Sequence, residues 1–256
     1  MMQQPITFSV IIPVYNAAAT IMATLQSVLD QRWPPYEIIV VNDCSTDDTG
    51  ELLMRHFAGR ITYFALKENR GPSHARNTGI SKATGSHIVL QDADDVWHPD
   101  KLKLMEAVLQ QDPSIRFLFH DYTVHELPAV IAAHELKPVR IPFTKLLVRN
   151  IIATPCTVIN RADMLLFDER MSYTEDYDLF LRLAYNTGGY HVPAVLTRLN
   201  RPVLSTGGQS SNRWKMRQGE LIAYAHLGRL HPLWYLLFPF LAGWAMLKHI
   251  RKITGI

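Results

Sequence analysis

An alternation near the N-terminus constrains this chain more than any other feature. Four short apolar runs, FSVII (8–12), EIIVV (37–41), ITYFAL (61–66) and HIVLQ (87–91), are separated by stretches of helical character at 17–30, 47–57 and 72–83. Strands alternating with helices form βαβ units, and these build a Rossmann-like, mostly parallel sheet flanked by helices. Such strands are buried on both faces, so they read as near-continuous apolar runs. Ser45, Thr46 or Asp47 is placed to cap the second helix, with Glu51 in its first turns. A further helix is expected from Pro99 to about Gln110, since Pro at a helix start gives up an N–H that has no partner there.

Beyond residue 112 the pattern loosens. RFLFHDY (116–122) and TPCTVIN (154–160) read as strands, and 125–142 reads as an irregular connection. A helix follows Thr174, where Leu179, Phe180 and Leu183 recur at helical spacing. Residues 200–212, rich in Gly, Ser and Asn, are expected to form a mobile loop.

Composition narrows the function. The chain is 48% hydrophobic and 19% charged, as expected of an ordinary globular protein. A net charge of +3, with no basic block interleaved with aromatics, argues against a nucleic-acid partner. Cys44 and Cys156 form no CxxC pair, which disfavours a disulfide framework or zinc site and fits a reducing cytoplasm. The start of the chain, MMQQPITFSV, lacks the character of a signal peptide. Near the other end, PLWYLLFPFLAGWAML (232–247) is uncharged and is followed by Lys248, His249, Arg251 and Lys252. It falls short of the about 20 apolar residues that a membrane span needs. Aromatics beside a basic flank suit peripheral contact of 232–252 with an anionic inner membrane; the alternative is a buried terminal helix pair broken near Pro239.

In parallel α/β sheets, ligands bind beyond the carboxyl ends of the strands. The polar stretches PVYN, NDCSTDD and QDADD all fall there. Neither GxGxxG nor GxxxxGK[ST] is present, which disfavours a dinucleotide fold and removes the P-loop NTPases. Asp43 could accept hydrogen bonds from a base or ribose, or cap a helix. In NRGPSHARNTGI (69–80) a helix start favours anions and Arg76 could reach a phosphate, or Arg76 could be a plain exposed helix arginine.

Asp92, Asp94 and Asp95 crowd the end of the fourth strand. Hard dications such as Mg²⁺ or Mn²⁺ are held by one or two carboxylates plus substrate phosphates, so a dication bridging to a diphosphate is the expected compensating charge. The plainer alternative is helix capping or simple solvation. In YTEDYDLFLRL (173–183), Glu175 and Asp176 open a helix, where the dipole stabilises acids in any case. They are also candidates for a general base.

Taken together, SVIIPVYN, IIVVNDCSTDDT, NRGPSHARNTGI, HIVLQDADDVW and TEDYDLFLRL, in this order, closely resemble the family 2 glycosyltransferases across roughly residues 6 to 187. The resemblance implies a GT-A fold, a nucleotide-diphospho-sugar donor (a UDP-sugar foremost), Mn²⁺ or Mg²⁺, and inversion at the anomeric carbon. It implies Pro13, Tyr15 and Asn16 around the nucleotide, Asp43 on the base and Arg76 near the nucleotide or donor sugar. It also implies Asp92 on ribose or sugar, Asp94 as principal metal ligand with Asp95 beside it, and Asp176 as catalytic base with Glu175 helping to position a substrate.

The expected organisation is a nucleotide-sugar-binding half at 1–111, an acceptor-binding half of the same domain at 112–212, and a helical tail at 213–256. Two departures from the family pattern stand out. TRLNRPVLSTGGQSSNRW (197–214) lacks the histidine many relatives carry after the last core strand, and QSSNRW has one residue more than the QxxRW of processive synthases. The resulting expectation is a non-processive enzyme of cell-surface glycan or polysaccharide synthesis, peripheral at the cytoplasmic membrane face, with a glycan or lipid-linked acceptor. Two rivals remain. DADDV also fits the nucleophile signature of haloacid-dehalogenase-like phosphatases, with Asp92 attacking phosphorus. A non-catalytic nucleotide-sugar-binding protein is the other.

Overall fold

A computed structural model of the chain describes residues 5–201 and 212–254. The stretch 202–211 lies outside the described residues, and most of the expected mobile loop and half of QSSNRW fall on it.

The four apolar runs become β1 (Phe8–Val14), β2 (Glu37–Asn42), β3 (Thr62–Ala65) and β4 (His87–Leu90). They pair in parallel in the order β3-β2-β1-β4. Their connections are helices α1 (Ile21–Leu29), α2 (Thr49–Phe57) and α3 (Pro72–Lys82). Alternate side chains of a strand point to opposite faces. Phe8, Val10, Ile12 and Val14 of β1 therefore enter one apolar cluster with Ile21, Leu25 and Val28 of α1. Ile11 enters the cluster on the other face with Ala75 and Ile80 of α3. This burial on both sides explains the unbroken apolar runs. The residue at the N-cap of α2 is Asp48, which makes no side-chain cap, and not the expected Ser45, Thr46 or Asp47; Asp47 lies one residue earlier, where its Oδ1 accepts the Thr49 N–H at 3.1 Å.

Helix α3 does not follow the usual rule for helices on a sheet. Its buried residues include Ser73, Arg76 and Asn77 as well as Ala75, Gly79 and Ile80. Small residues allow a close approach: a Cβ on Gly79 would sit 2.5 Å from Ile11 Cγ2. Ala75 and Ile80 meet the apolar cluster of the sheet, while Ser73, Arg76 and Asn77 bring polar groups into the same buried region.

The parallel arrangement stops at β4. Helix α4 (Lys101–Gln111) leads to β6 (Phe117–Thr123), and β8 (Thr157–Asn160) inserts antiparallel between β4 and β6. Strand β9 (Gly189–Arg198) runs parallel to β6 and carries the short β5 (Val96–Trp97) and β7 (Val139–Ile141) antiparallel to itself. A parallel neighbour needs a long crossover; α1, α2 and α3 supply it among the first four strands, and the long stretch from β6 to β9 supplies it once more. One sheet results, parallel on the N-terminal side and mixed beyond. Within the irregular 125–142 stretch lie a 3₁₀ turn at Ala133–Leu136 and β7; residues 154–160 split into a 3₁₀ turn and β8.

Helix α5 (Phe143–Val148) and α6 (Glu175–Thr187) cover the mixed half, followed by α7 (Arg213–Leu230) and α8 (Leu233–Thr254). The tail is a helix pair, but it breaks at His231 and Pro232, and α8 continues through Pro239. Proline removes one helical hydrogen bond. Here Pro239 and Tyr235, whose carbonyl loses its donor, are both exposed, so water can take the missing place. Trp234, Phe238 and Leu241 of α8 pack against the core, while Leu236 and Phe240 are 71% and 75% exposed. Among the described residues no helix is long and apolar enough to cross a membrane.

Candidate functional site

The carboxyl ends of β1, β2 and β4 open onto a cleft of about 630 Å³, a size typical of small-molecule sites. Pro13, Tyr15, Asn16, Asp43, Arg76, Asp92 and Asp94, all expected site residues, line it. Asp95, Glu175 and Asp176 are not in its lining.

The first wall is the end of β1. Asn16 adopts a positive φ of 48° and Cys44, facing it after β2, one of 61°. Such backbone is uncommon outside glycine and concentrates at functional sites. Cross-links hold the two loops together: Thr46 N–H donates to Asn16 Oδ1 at 2.8 Å, and Asn16 N–H donates to Ser45 Oγ at 3.0 Å. Tyr15 stands half exposed at the rim.

Asp43 is buried at the end of β2, where its two oxygens accept the N–H groups of Arg70 (2.9 Å) and Gly71 (2.7 Å). It therefore fixes the entry to α3 and does not cap α2. Glu169 completes the far side of that entry by accepting from Asn77 Nδ2 at 2.9 Å and meeting His74 Nδ1 at 2.8 Å.

Arg76 is not an exposed helix arginine. Its side chain is 9% accessible; one terminal nitrogen donates to Asp92 Oδ1 at 2.7 Å and the other lies 3.7 Å from Glu175 Oε1. The guanidinium carbon sits 5.3 Å from the centre of the Phe167 ring. Burial works against its charge, yet Asp92 and Glu175 outweigh burial and raise its pKa. One cation thus gathers the end of β4 and the start of α6 into a single cluster.

The three crowded aspartates separate. Asp92 faces Arg76. Asp94 points into the cleft with Arg201 3.5 Å away. Asp95 turns inward, almost fully buried, and accepts the N–H of Asn200 at 3.0 Å. Burial, with the charge of Asp92, pushes the Asp95 carboxyl up to about 8. Beneath it Lys101 is fully buried, with Nζ donating to the Pro155 carbonyl at 2.6 Å and lying 3.9 Å from the Trp97 ring centre. Much of the charge compensation expected of a dication is therefore supplied by Arg76, Arg201 and a backbone N–H. No group of three or more potential metal-binding side chains exists among the described residues. The donor set suits a hard dication only where substrate oxygens complete it around Asp94.

Glu175 and Asp176 begin α6, immediately after Thr174, which adopts left-handed backbone (φ 56°). Glu175 is buried against Arg76, while Asp176 is partly open and accepts the Tyr177 N–H at 2.7 Å. Burial, reinforced by Glu175, pushes the Asp176 carboxyl up to about 7 despite the opposing pull of Arg76. A carboxylate poised near neutrality can accept a proton from a hydroxyl.

Sequence reasoning missed Arg201 and Lys101. Arg201 lies in the stretch 197–214, which stands out in the sequence only for its missing histidine. Lys101 gave no signal, since a lysine in an amphipathic helix normally marks the solvent face.

Residues 9–153 match the family described as Glycosyl transferase family 2. A teichuronic acid biosynthesis glycosyltransferase of Bacillus subtilis is 31% identical over 227 residues, covering 87% of this chain and 89% of that protein. The Escherichia coli UDP-Glc:alpha-D-GlcNAc-diphosphoundecaprenol beta-1,3-glucosyltransferase is 28% identical over 233 residues, covering 90% of each. Among solved structures, S. aureus TarS 1–349 in complex with UDP-GlcNAc superposes with a TM-score of 0.70 at 20% identity, covering 87% of this chain and 67% of that one. The mannosyltransferase PcManGT from Pyrobaculum calidifontis, in complex with GDP-Man and Mn²⁺, gives 0.68 at 21% identity, covering 95% and 74%. The phosphatase alternative falls, for DADD follows the fourth strand of a GT-A sheet, and this chain belongs to glycosyl transferase family 2.

Proposed function

We propose that the protein is a non-processive, inverting glycosyltransferase of cell-surface glycan synthesis, moving a sugar from a UDP-sugar to a hydroxyl of a glycan or lipid-linked acceptor. The observation that carries this reading is the cluster in which Arg76 joins Asp92 to Glu175 beside a partly open Asp176, next to the cleft that Asp94 lines. The donor class follows the UDP-Glc in the name of the Escherichia coli relative and the UDP-GlcNAc bound to TarS.

In this reading Tyr15, Asn16 and Asp43 receive the nucleoside, and Asp92, oriented by Arg76, receives the ribose or sugar. Asp94 would hold Mn²⁺ or Mg²⁺, and the ion would supply charge neutralisation to a departing diphosphate. Arg201 adds a positive charge at the same end of the cleft. Asp95 is a positioning residue: it pins Asn200, and so the segment that carries Arg201. Asp176 takes the acceptor proton as the acceptor oxygen bonds to the anomeric carbon. The bond to the diphosphate breaks with its electron pair, on the opposite face of the sugar. The non-catalytic alternative requires that the wild type bind nucleotide-sugar without metal dependence and hydrolyse no donor.

A thermal-shift series with UDP-, GDP- and dTDP-sugars and Mn²⁺ tests the donor. UDP-sugars are expected to raise the melting temperature, and Asp94→Ala to remove only the metal-dependent part of the rise. A wild-type protein that no donor stabilises would count against the site.

Peripheral contact with the inner membrane belongs to the same proposal. Leu233, Leu236, Leu237 and Phe240 form an outward apolar face on α8, which suits a helix lying in the interface. Sedimentation with anionic vesicles is expected to capture the wild type. The double variant Leu236→Glu, Phe240→Glu should stay in the supernatant with its melting temperature unchanged. Equal capture of both proteins would remove the membrane assignment.

A further inference from the structure

Thr174 is β-branched yet left-handed, with φ 56° and ψ 24°, directly ahead of Glu175 and Asp176. Such backbone is strained and persists only where the surroundings over-determine it. Within the turn, Thr174 Oγ1 donates to the Tyr173 carbonyl at 2.6 Å. The outer constraint comes from α7. A Cβ added at Gly219 would fall well inside contact distance of Thr174 Oγ1 and the Tyr173 carbonyl oxygen, and 3.0 Å from the Tyr173 carbonyl carbon.

Glycine within a helix is destabilising relative to alanine. It stands within the 18-residue α7, where the helix backbone lies against the turn. Elsewhere α7 is tied to the same body. His226 Nδ1 meets Asp178 Oδ1 of α6 at 2.8 Å, and Tyr224 donates to the Leu147 carbonyl at 2.6 Å. Glu220 pairs with Arg217 and with Lys248 of α8.

We infer that α7 acts as a backstop for the base turn, and that Gly219 is a positioning residue whose missing side chain sets where the Asp176 carboxylate stands. This rests on the reading of Asp176 as general base. Proton transfer requires hydrogen-bond reach, and a displacement of about 1 Å can cost roughly 100-fold in rate.

Steady-state kinetics of Gly219→Ala in the full chain, with a UDP-sugar donor, test the inference. The expected result is a kcat lower by roughly 100-fold, with donor KM and UDP affinity at wild-type values. Adding Thr174→Gly, which removes the hydroxyl and suits the positive φ, should restore part of the loss. If the alanine variant does not fold, Gly219→Ala, Thr174→Gly is compared with Thr174→Gly alone, and a lower kcat is expected in the double variant, by less than the roughly 100-fold of the single one because only the Tyr173 carbonyl contact remains. Wild-type kcat in the alanine variant overturns the inference. So does a parallel fall of kcat, UDP affinity and melting temperature, which would mark general damage. Asp176→Asn run alongside separates the two levels. If it turns over normally the base reading itself fails, whereas an inactive Asp176→Asn beside a fully active Gly219→Ala sinks the backstop alone.

Discussion

Asp176→Asn is expected to lower kcat by about 100- to 10,000-fold, the range a positioned general base contributes, with donor affinity retained. The amide keeps the size of the carboxyl and can still accept the Tyr177 N–H, so the helix start should survive. The pH dependence sharpens the expectation. Burial and then the charge of Glu175 hold the Asp176 carboxyl up to about 7. A base must be deprotonated to act, so kcat/KM of the wild type should rise with pH and level off above about 7. Glu175→Gln removes a negative charge that raises this pKa and should move the rising limb to lower pH, even if the maximal rate falls. A wild-type profile flat through the neutral range, or an Asp176→Asn variant of normal rate, would remove Asp176 from this role.

The second large effect is expected at Arg76. Arg76→Met keeps much of the bulk over Phe167 but leaves Asp92, Glu175 and Asp176 without their common cation. Removing one member of a buried ion pair typically costs about 3–5 kcal/mol. The sign of the pH dependence follows from linkage. Without Arg76 the Asp176 carboxyl, already held up to about 7, loses the pull that lowers it and rises further above its unfolded value, so stability falls as pH rises. The deficit should be smaller and steady below about pH 7 and grow as pH rises from there toward about 9. Urea denaturation across that interval measures it. A deficit below about 1 kcal/mol, the scale of an exposed pair, or one that does not change with pH, would show that Arg76 is not the hub of the cluster.

What could be read in the sequence follows from which interactions are local. Strands β1, β2 and β4 are buried on both faces by neighbours they meet through regular crossovers, so Val10, Ile39 and Val89 announce them. Strand β5 is two residues long, and β7 three, and both owe their strand character to β9, a partner far along the chain. Nothing in Val96–Trp97 alone signals that pairing. The same divide runs through the site. Asp43 and Arg76 were legible as polar groups beyond strand ends, but their partners were not. The Asp43 bonds to Arg70 and Gly71, and the approach of Glu175 to Arg76, are tertiary facts. The crowding of Asp92, Asp94 and Asp95 suggested one shared counter-charge, yet a tight turn can aim adjacent side chains in three directions.

Strand β4 bonds in parallel to β1 along one edge and antiparallel to β8 along the other. Both substrates of the proposed reaction would thus be measured from a single ruler, with no hinge between the regions that receive them. Evolution or engineering could then rewrite acceptor choice in the loops beyond residue 112 while the gap between sugar and incoming hydroxyl stays constant. Cutting the chain after α4 to isolate the first half would strip β4 of its β8 neighbour and leave Ile88 and Val89 on a raw, adhesive border. Such a fragment should clump, and swapping whole acceptor regions between intact relatives is the sounder route to new products.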